Sequence, residues 1–280
     1  METTTTEIGD QIRAWRQRRR LSQLALALDS EISARHLSFL ETGRSRPSRE
    51  VVLRIAETLE VPLRERNILL VSAGFAPVFP ERGLGDEALA AARAAVDLVL
   101  RGHEPYPALA LDRTWTMVAA NRAVAPLLDG VSPALLAPPA NVLLLSLHPD
   151  GLAPRIENLA EWRRHLLERL ARQIEVSADA ALIALRAKLE ALPAPRDAVS
   201  RRSAGTGPLV PLRLRAGGHV LSLFSTTTVF GTPVEVTLSE LAIESFFPAD
   251  EATAACLRAM PLPPAPGPAP SLPIAAARRG

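Results

Sequence analysis

Apolar positions recur at helical spacing along the first quarter of the chain. Ile8, Ile12 and Trp15 fall at i, i+4 and i+7 and predict a helix over Glu7–Arg19. In LSQLALALDSEISARHLSFLETGRSRPS (Leu21–Ser48), Ser22 precedes a leucine/alanine run as an N-cap should, and Leu21 and Leu26 take the staple positions. One helix later Ser33 caps, and Ile32 and Leu37 staple. Gly43 stands where a left-handed residue ends a helix. Two capped helices this short and this close predict a helix-turn-helix, whose second helix is the one that enters a major groove. A fourth helix after Ser48 buries Val51, Ile55 and Leu59. Val61-Pro62 breaks it, and a fifth runs Leu63–Ala73 to Gly74.

Beyond that point the period changes. FAPVFPERGLG (Phe75–Gly85) reads as a linker whose two phenylalanines predict that it docks. Asp86–Arg101 is alanine-rich, with Leu89, Val96 and Leu100 inward. Ala108–Asp112 and Thr116–Ala120 are short apolar strands around a turn at Asp112-Arg113-Thr114, and Asn121-Arg122 opens a short helix. Val131–His148 is apolar and punctuated by proline. Leu152–Ile174 and Asp179–Leu192 are amphipathic helical regions, and Arg196–Gly207 is a polar loop, expected to be mobile. Strands return at Leu209–Arg215 and His219–Phe230, split by Gly217-Gly218. Thr237-Leu238-Ser239-Glu240 reads as a capping box opening a last helical region. After Met260 the Pro/Ala-rich chain has nothing to bury, so it is predicted disordered.

The elements describe a multidomain chain, α plus α/β. An all-α five-helix domain covers 1–75, a linker 76–85, an α+β domain with an antiparallel sheet and additional helices 86–260, and a tail 261–280. Composition changes this little. The net charge is +2, so the chain is no polycation; the excess sits in residues 1–75, with 12 arginines against 10 acidic residues. Nucleic-acid binding therefore rests on the motif and not on overall charge. Cys256 is the one cysteine, which excludes an intramolecular disulfide and a cysteine metal cluster. METTTTEIGD lacks the basic and apolar regions of a signal peptide, and no run reads as a membrane helix, so the expected compartment is the cytoplasm. No G-x-S-x-G elbow, P-loop or H-E-x-x-H occurs, and His148-Pro149-Asp150-Gly151 is turn chemistry; the chain is not expected to be an enzyme.

The motif spacing resembles the Cro/repressor-type, XRE-like helix-turn-helix family, in Leu21-Ser22-Gln23, Leu26-Ala27, Ser33, Leu37-Ser38, Glu41, Gly43 and Pro47-Ser48. That implies a lambda-repressor-like fold for the first domain. The turn position that is usually glycine holds Glu31, which is strained if positive φ is required there. Helical arithmetic puts Leu37, Leu40 and Glu41 inward with Ser33, and turns Arg35, Ser38, Phe39 and Thr42 outward, with Ala34 and His36 on the flanks. The family uses this helix on bases, and Arg35 is the candidate for guanine, since a guanidinium bonds O6 and N7 together. Phe39 either touches a thymine methyl or packs under a loop or a dimer partner. The family places Gln23 on a phosphate. Arg44, Arg46 and Arg49 behind the helix, and a second cluster of Arg16, Arg18, Arg19 and Arg20, are candidate phosphate contacts. The resemblance pairs Glu41 with Arg16; otherwise Glu41 is only partly buried and unpaired.

PYPALALDRTWTMVAANRAVAPLL resembles the opening of a PAS-type sensory domain. ETGRSRPSRE, NVLLLSLHPDGLAPRI, NLAEWRRHLLERL and VFGTPVEVTLSELAIESFFPAD resemble the MmyB-like transcriptional regulators, over about Ile8 to Met260. What this implies is a homodimeric, one-component regulator of double-stranded DNA with no cofactor. Its second, PAS-like domain would hold a small, mostly apolar ligand such as a fatty acid or a related lipid. The candidate ligand contacts are polar residues among apolar neighbours: Asn121, His148, Arg155, Trp162 and Thr226. Arg155 or His148 would receive a carboxylate head. Structural roles also fit: Asn121 as a cap, His148 in a turn, Arg155 paired with Glu157 or Glu161, Trp162 as core. The rival function is a second domain that grips a protein, antitoxin-like or as an RNA polymerase contact, and takes no small ligand.

Overall fold

The computed structural model describes residues 7–193, 209–231 and 233–264. The chain divides into two compact units. The first runs to Glu81 and takes in Glu175–Ser177 and Pro233–Ser239. The predicted loop at Arg196–Gly207 and the tail beyond residue 264 lie outside the described residues.

Five helices form the first unit: α1 (Ile8–Arg18), α2 (Gln23–Asp29), α3 (Ala34–Glu41), α4 (Arg49–Thr58) and α5 (Leu63–Ser72). The serine caps act as the sequence requires. Ser22, Ser33 and Ser48 accept from the backbone N–H of Ala25, His36 and Val51 at 3.0, 3.1 and 3.3 Å. Ile12, Trp15, Leu26, Leu37, Leu40, Ile55 and Leu70 meet in one core. In α4 the buried face is centred on Val52 and Ile55, one position on from the expected Val51, which is only half-buried. Glu31 takes φ +54°, so the turn keeps the left-handed geometry without glycine, at a cost of about 1–2 kcal/mol. Beside it, Ser30 is fully buried, and its hydroxyl has no partner among the described residues. Ser30→Ala is expected to raise stability by about 1 kcal/mol, because an unsatisfied buried hydroxyl costs its desolvation and returns nothing. Urea denaturation of the full chain measures this; a loss of stability would mean that the hydroxyl is bonded.

The segment after α5 is strapped down and does not hang free as a linker. Phe75 and Val78 pack on the core. Asn67 Oδ1 accepts from the N–H of Val78 and Phe79, both at 3.1 Å, and Asn67 Nδ2 donates to the Phe79 carbonyl at 2.8 Å.

The second unit opens with α6 (Ala90–Gly102), then β1 (Ala108–Leu111) and β2 (Met117–Ala120). α7 (Pro133–Leu136), α8 (Val142–Leu147), α9 (Leu159–Ser177) and α10 (Ala180–Glu190) follow. After them come β3 (Leu212–Ala216) and β4 (His219–Val229) and, past the single turn α11 (Val236–Ser239), which belongs to the first unit, β5 (Ala242–Pro248) and α12 (Glu251–Ala259). The five strands form one antiparallel sheet in the order β2-β1-β5-β4-β3. β1 is buried on both faces, and the two-residue period of a strand divides its side chains. Leu109 and Leu111 join the larger core with Trp115, Leu143, Trp162, Leu166 and Leu170. Ala108 and Ala110 face Val96 and Leu100 of α6. The small alanines let the helix lie close on that side.

Two sequence expectations fail here. The long helix starts at Leu159 and not at Leu152, because Pro154 sits in a short 3-10 turn, and Ile156 bridges to Leu214. Thr237–Glu240 opens no long helix: Glu235 caps the one-turn α11 by accepting from the Leu238 N–H, and the chain then enters β5. The next helix, α12, is capped by Asp250.

Candidate functional site

Helix α3 is held by its inner face. Leu37 and Leu40 are buried in the core, and Glu41 is buried with them. Gly9 lets α1 approach: a Cβ there would lie 2.4 Å from the Leu40 carbonyl oxygen, a distance no side chain tolerates. Arg16 grips Glu41 with two parallel bonds, Nε to Oε1 at 2.6 Å and Nη2 to Oε2 at 2.8 Å. Gln23 Nε2 donates to the same Oε2 at 2.8 Å, and Arg13 donates to the Glu41 carbonyl at 2.8 Å. Burial alone would push the Glu41 carboxyl upward. The hydrogen bonds from Arg16 and Gln23, with the Arg16 and Arg13 charges, outweigh it and hold the group below the ordinary carboxylate range. Gln23 is half-buried, and its amide is already tied to Glu41, so the expected reach to a phosphate starts from a committed side chain.

Ser33, expected inward, is exposed as the N-cap ahead of α3, whose outer face carries the exposed Ala34 and Arg35, with His36, Ser38 and Phe39 half-buried. The Arg35 guanidinium lies 5.3 Å from the centre of the Phe39 ring, so Phe39 packs against the candidate base reader. Arg44 and Arg46 are exposed on the loop behind, and Arg49 is exposed at the start of α4. None of these four arginine side chains has an ion-pair or hydrogen-bond partner among the described residues. The other predicted cluster is different. Arg16 is spent on Glu41 and the Leu21 carbonyl, Arg19 donates to the Leu59 and Glu60 carbonyls, and Arg18 lies 4.9 Å over Trp15. Arg16 and Arg19 thus latch α1 to the bundle and take structural roles in place of the expected phosphate contacts, while the Arg18 contact stays within α1.

In the second unit, a cavity of about 90 Å³ lies between the sheet and helices α8 and α9. Leu109, Trp115, Leu143, Trp162, Leu223 and Phe246 are among its apolar walls. Trp115 is held at φ +65°, its indole N–H donating to Gln173 at 2.8 Å. Two further polar side chains line the space, Ser146 and Glu244. Ser146 Oγ accepts the Trp162 indole N–H at 2.9 Å. Glu244 stands opposite Leu109 in the β1–β5 register and so shares its face. Its Oε1 accepts from Arg169 Nη1 and from the Ser225 hydroxyl, both at 2.8 Å. Arg169 also lies 4.5 Å over the Trp115 ring. His165, stacked on Trp162, is held below the ordinary imidazole range, first by burial and then by the charges of Arg169 and Arg172.

Of the five expected ligand contacts, Trp162 alone lines this cavity. Asn121 spends its amide on the fold, accepting from the Ala108 N–H and donating to the Leu100 and Tyr106 carbonyls. It gives no side-chain cap to the turn after it. His148 accepts from the Asp150 N–H in its turn. Arg155 donates to the Leu127 carbonyl at 2.7 Å, and its suggested partner Glu157 pairs with Arg213 instead. Thr226 faces away: it is opposite Ser245 in the β4–β5 register, one residue out of phase with Glu244. Ser146 and Glu244 were missed, although Ser146 is a lone polar residue in the apolar run LLLSL and Glu244 is the one charged residue in AIESFF.

Residues 92–260 match the family model described as the MmyB-like transcription regulator ligand binding domain, and residues 7–69 match a helix-turn-helix domain model. No curated protein matches the chain. Among solved structures, an RNA-binding light-oxygen-voltage receptor is similar at 15% identity and a TM-score of 0.26, with 91% of this chain and 63% of that one covered.

Proposed function

Because the chain belongs to the MmyB-like transcription regulators, we propose that its first unit reads double-stranded DNA in sequence and its second unit receives a small, mostly apolar ligand. The observation that carries the DNA half is the uncommitted positive rim, Arg35, Arg44, Arg46 and Arg49, around an exposed α3. Arg35 projects from the N-terminal half of the helix, where base edges are met, and Arg44, Arg46 and Arg49 face the phosphates on its far side. Phe39 steadies Arg35. Two copies of the chain would read half-sites about 34–36 Å apart or a multiple of that. The ligand would act by binding one arrangement of the two reading helices better than another.

Binding isotherms on a selected duplex and its scrambled counterpart, taken across salt, test the assignment. Arg35→Ala is expected to lose about 1–3 kcal/mol on the selected duplex and little on the scrambled one. Arg44→Ala is expected to weaken both alike and to flatten the salt slope by about one unit. Equal losses on both duplexes from Arg35→Ala would overturn the base-reading role.

A further inference from the structure

We infer that the outer face of α6 is where a second copy of the chain docks, with the two helices antiparallel. This rests on the two-copy reading proposed above and names its surface. Val96 and Leu100 of α6 are buried in the core beside β1. The opposite face, where a surface helix ordinarily carries charge, is apolar. At about 100° per residue, Ala91, Ala94, Ala95, Leu98 and Gly102 share it, and all five are exposed. Leu98 keeps 68% of its surface in solvent, and Val99 on the flank keeps 46%. Burying such a face removes apolar surface from water, which is favourable. The alanines and Gly102 add little bulk around Leu98, so a second helix can approach closely.

The charges at the two ends select the occupant. Glu87, in the 3-10 turn that leads into α6, and Arg101, in its last turn, are both exposed. Neither side chain has a hydrogen-bond or ion-pair partner among the described residues. A two-fold axis between Ala94 and Ala95 lays Leu98 of each copy against Ala91 of the other. It also brings each Glu87 to the end of the opposite helix, beside Arg101, so the pair forms twice. A parallel arrangement would set Glu87 against Glu87 and Arg101 against Arg101, and repel at both ends. The antiparallel order also sets the two helix dipoles head to tail. The face is thus self-complementary, as an interface between identical copies requires, whereas a wholly acidic or wholly basic partner would leave one end unmatched.

Sedimentation equilibrium of the full chain between about 1 and 100 µM tests the face, with far-ultraviolet dichroism checking the fold of each variant. The unaltered chain is expected to pass from monomer to dimer within that range. Leu98→Glu is expected to weaken the dimer at least about tenfold and to leave the fold intact, since Leu98 is exposed in the single copy. Glu87→Arg and Arg101→Glu are each expected to weaken it about five- to tenfold. The two changes in one chain are expected to restore it, because the exchanged charges meet again. A dimer that Leu98→Glu leaves unchanged would overturn the inference and keep the two-copy reading, with the contact elsewhere. A double variant no tighter than either single one would overturn it too, because the antiparallel order is what brings the two charges together. A monomer at every concentration would overturn both the inference and the two-copy reading, and leave the face to a partner of another kind.

Discussion

Arg16→Ala is expected to speed amide exchange in α1 and α3 by about two to four orders of magnitude, a loss of about 3–5 kcal/mol from the first unit. The residue grips the inner face of α3, and the effect comes from what it leaves behind. Glu41 has its carboxylate fully out of water, held by the Arg16 fork and the Gln23 amide. Removing the fork strands a buried charge, which is costlier than never having made the pair. The double replacement Arg16→Met/Glu41→Leu removes both charges and is expected to recover most of the loss. If it falls as far as Arg16→Ala, packing around α1 and not charge is responsible.

The same pair sets an acid limit. Glu41 titrates lower in the folded unit than in the unfolded chain, so its stabilisation is complete above the unfolded value of about 4.3. It is lost as pH falls through the lower folded value. Exchange protection in α3 is therefore expected to fall below about pH 4 in the unaltered chain, and this component is expected to be absent from the double variant.

Trp162→Ala is the second large effect, with about 3–5 kcal/mol lost from the second unit. Trp162 is buried, stacks on His165 at 5.4 Å between ring centres, and forms a wall of the cavity. Trp162→Phe keeps most of the apolar contact and removes only the indole donor, so it is expected to cost about 1–2 kcal/mol. Urea unfolding followed by far-ultraviolet dichroism separates the two. Equal losses would mean that the hydrogen bond to Ser146, and not the ring volume, holds this wall.

The first unit was almost fully legible because its signals are local. Ser22, Ser33 and Ser48 cap within three residues, and apolar spacing along one helix names the buried face. Glu31 at positive φ shows the opposite case, where the family's turn geometry prevailed over residue preference. The arginine clusters looked alike in sequence. What divides Arg16 and Arg19 from Arg44 and Arg46 is the position of a carboxylate or carbonyl many residues away. In the second unit, β5 was read as helix because TLSE satisfies a local capping rule, while its pairing with β1, more than a hundred residues earlier, leaves no local mark. The ligand candidates failed for the same reason. Asn121 looked exceptional among apolar neighbours because it staples three backbone groups together, and Glu244 reaches the cavity only through register with Leu109.

The central claim is that the first unit reads sequence. Duplexes selected by the full chain from a random pool, compared with scrambled duplexes of the same composition by fluorescence anisotropy at physiological salt, test it most directly. The selected duplex is expected to bind about a thousandfold more tightly or better. Equal affinity for the two would contradict it, and would reduce the rim of Arg35, Arg44, Arg46 and Arg49 to a general phosphate surface.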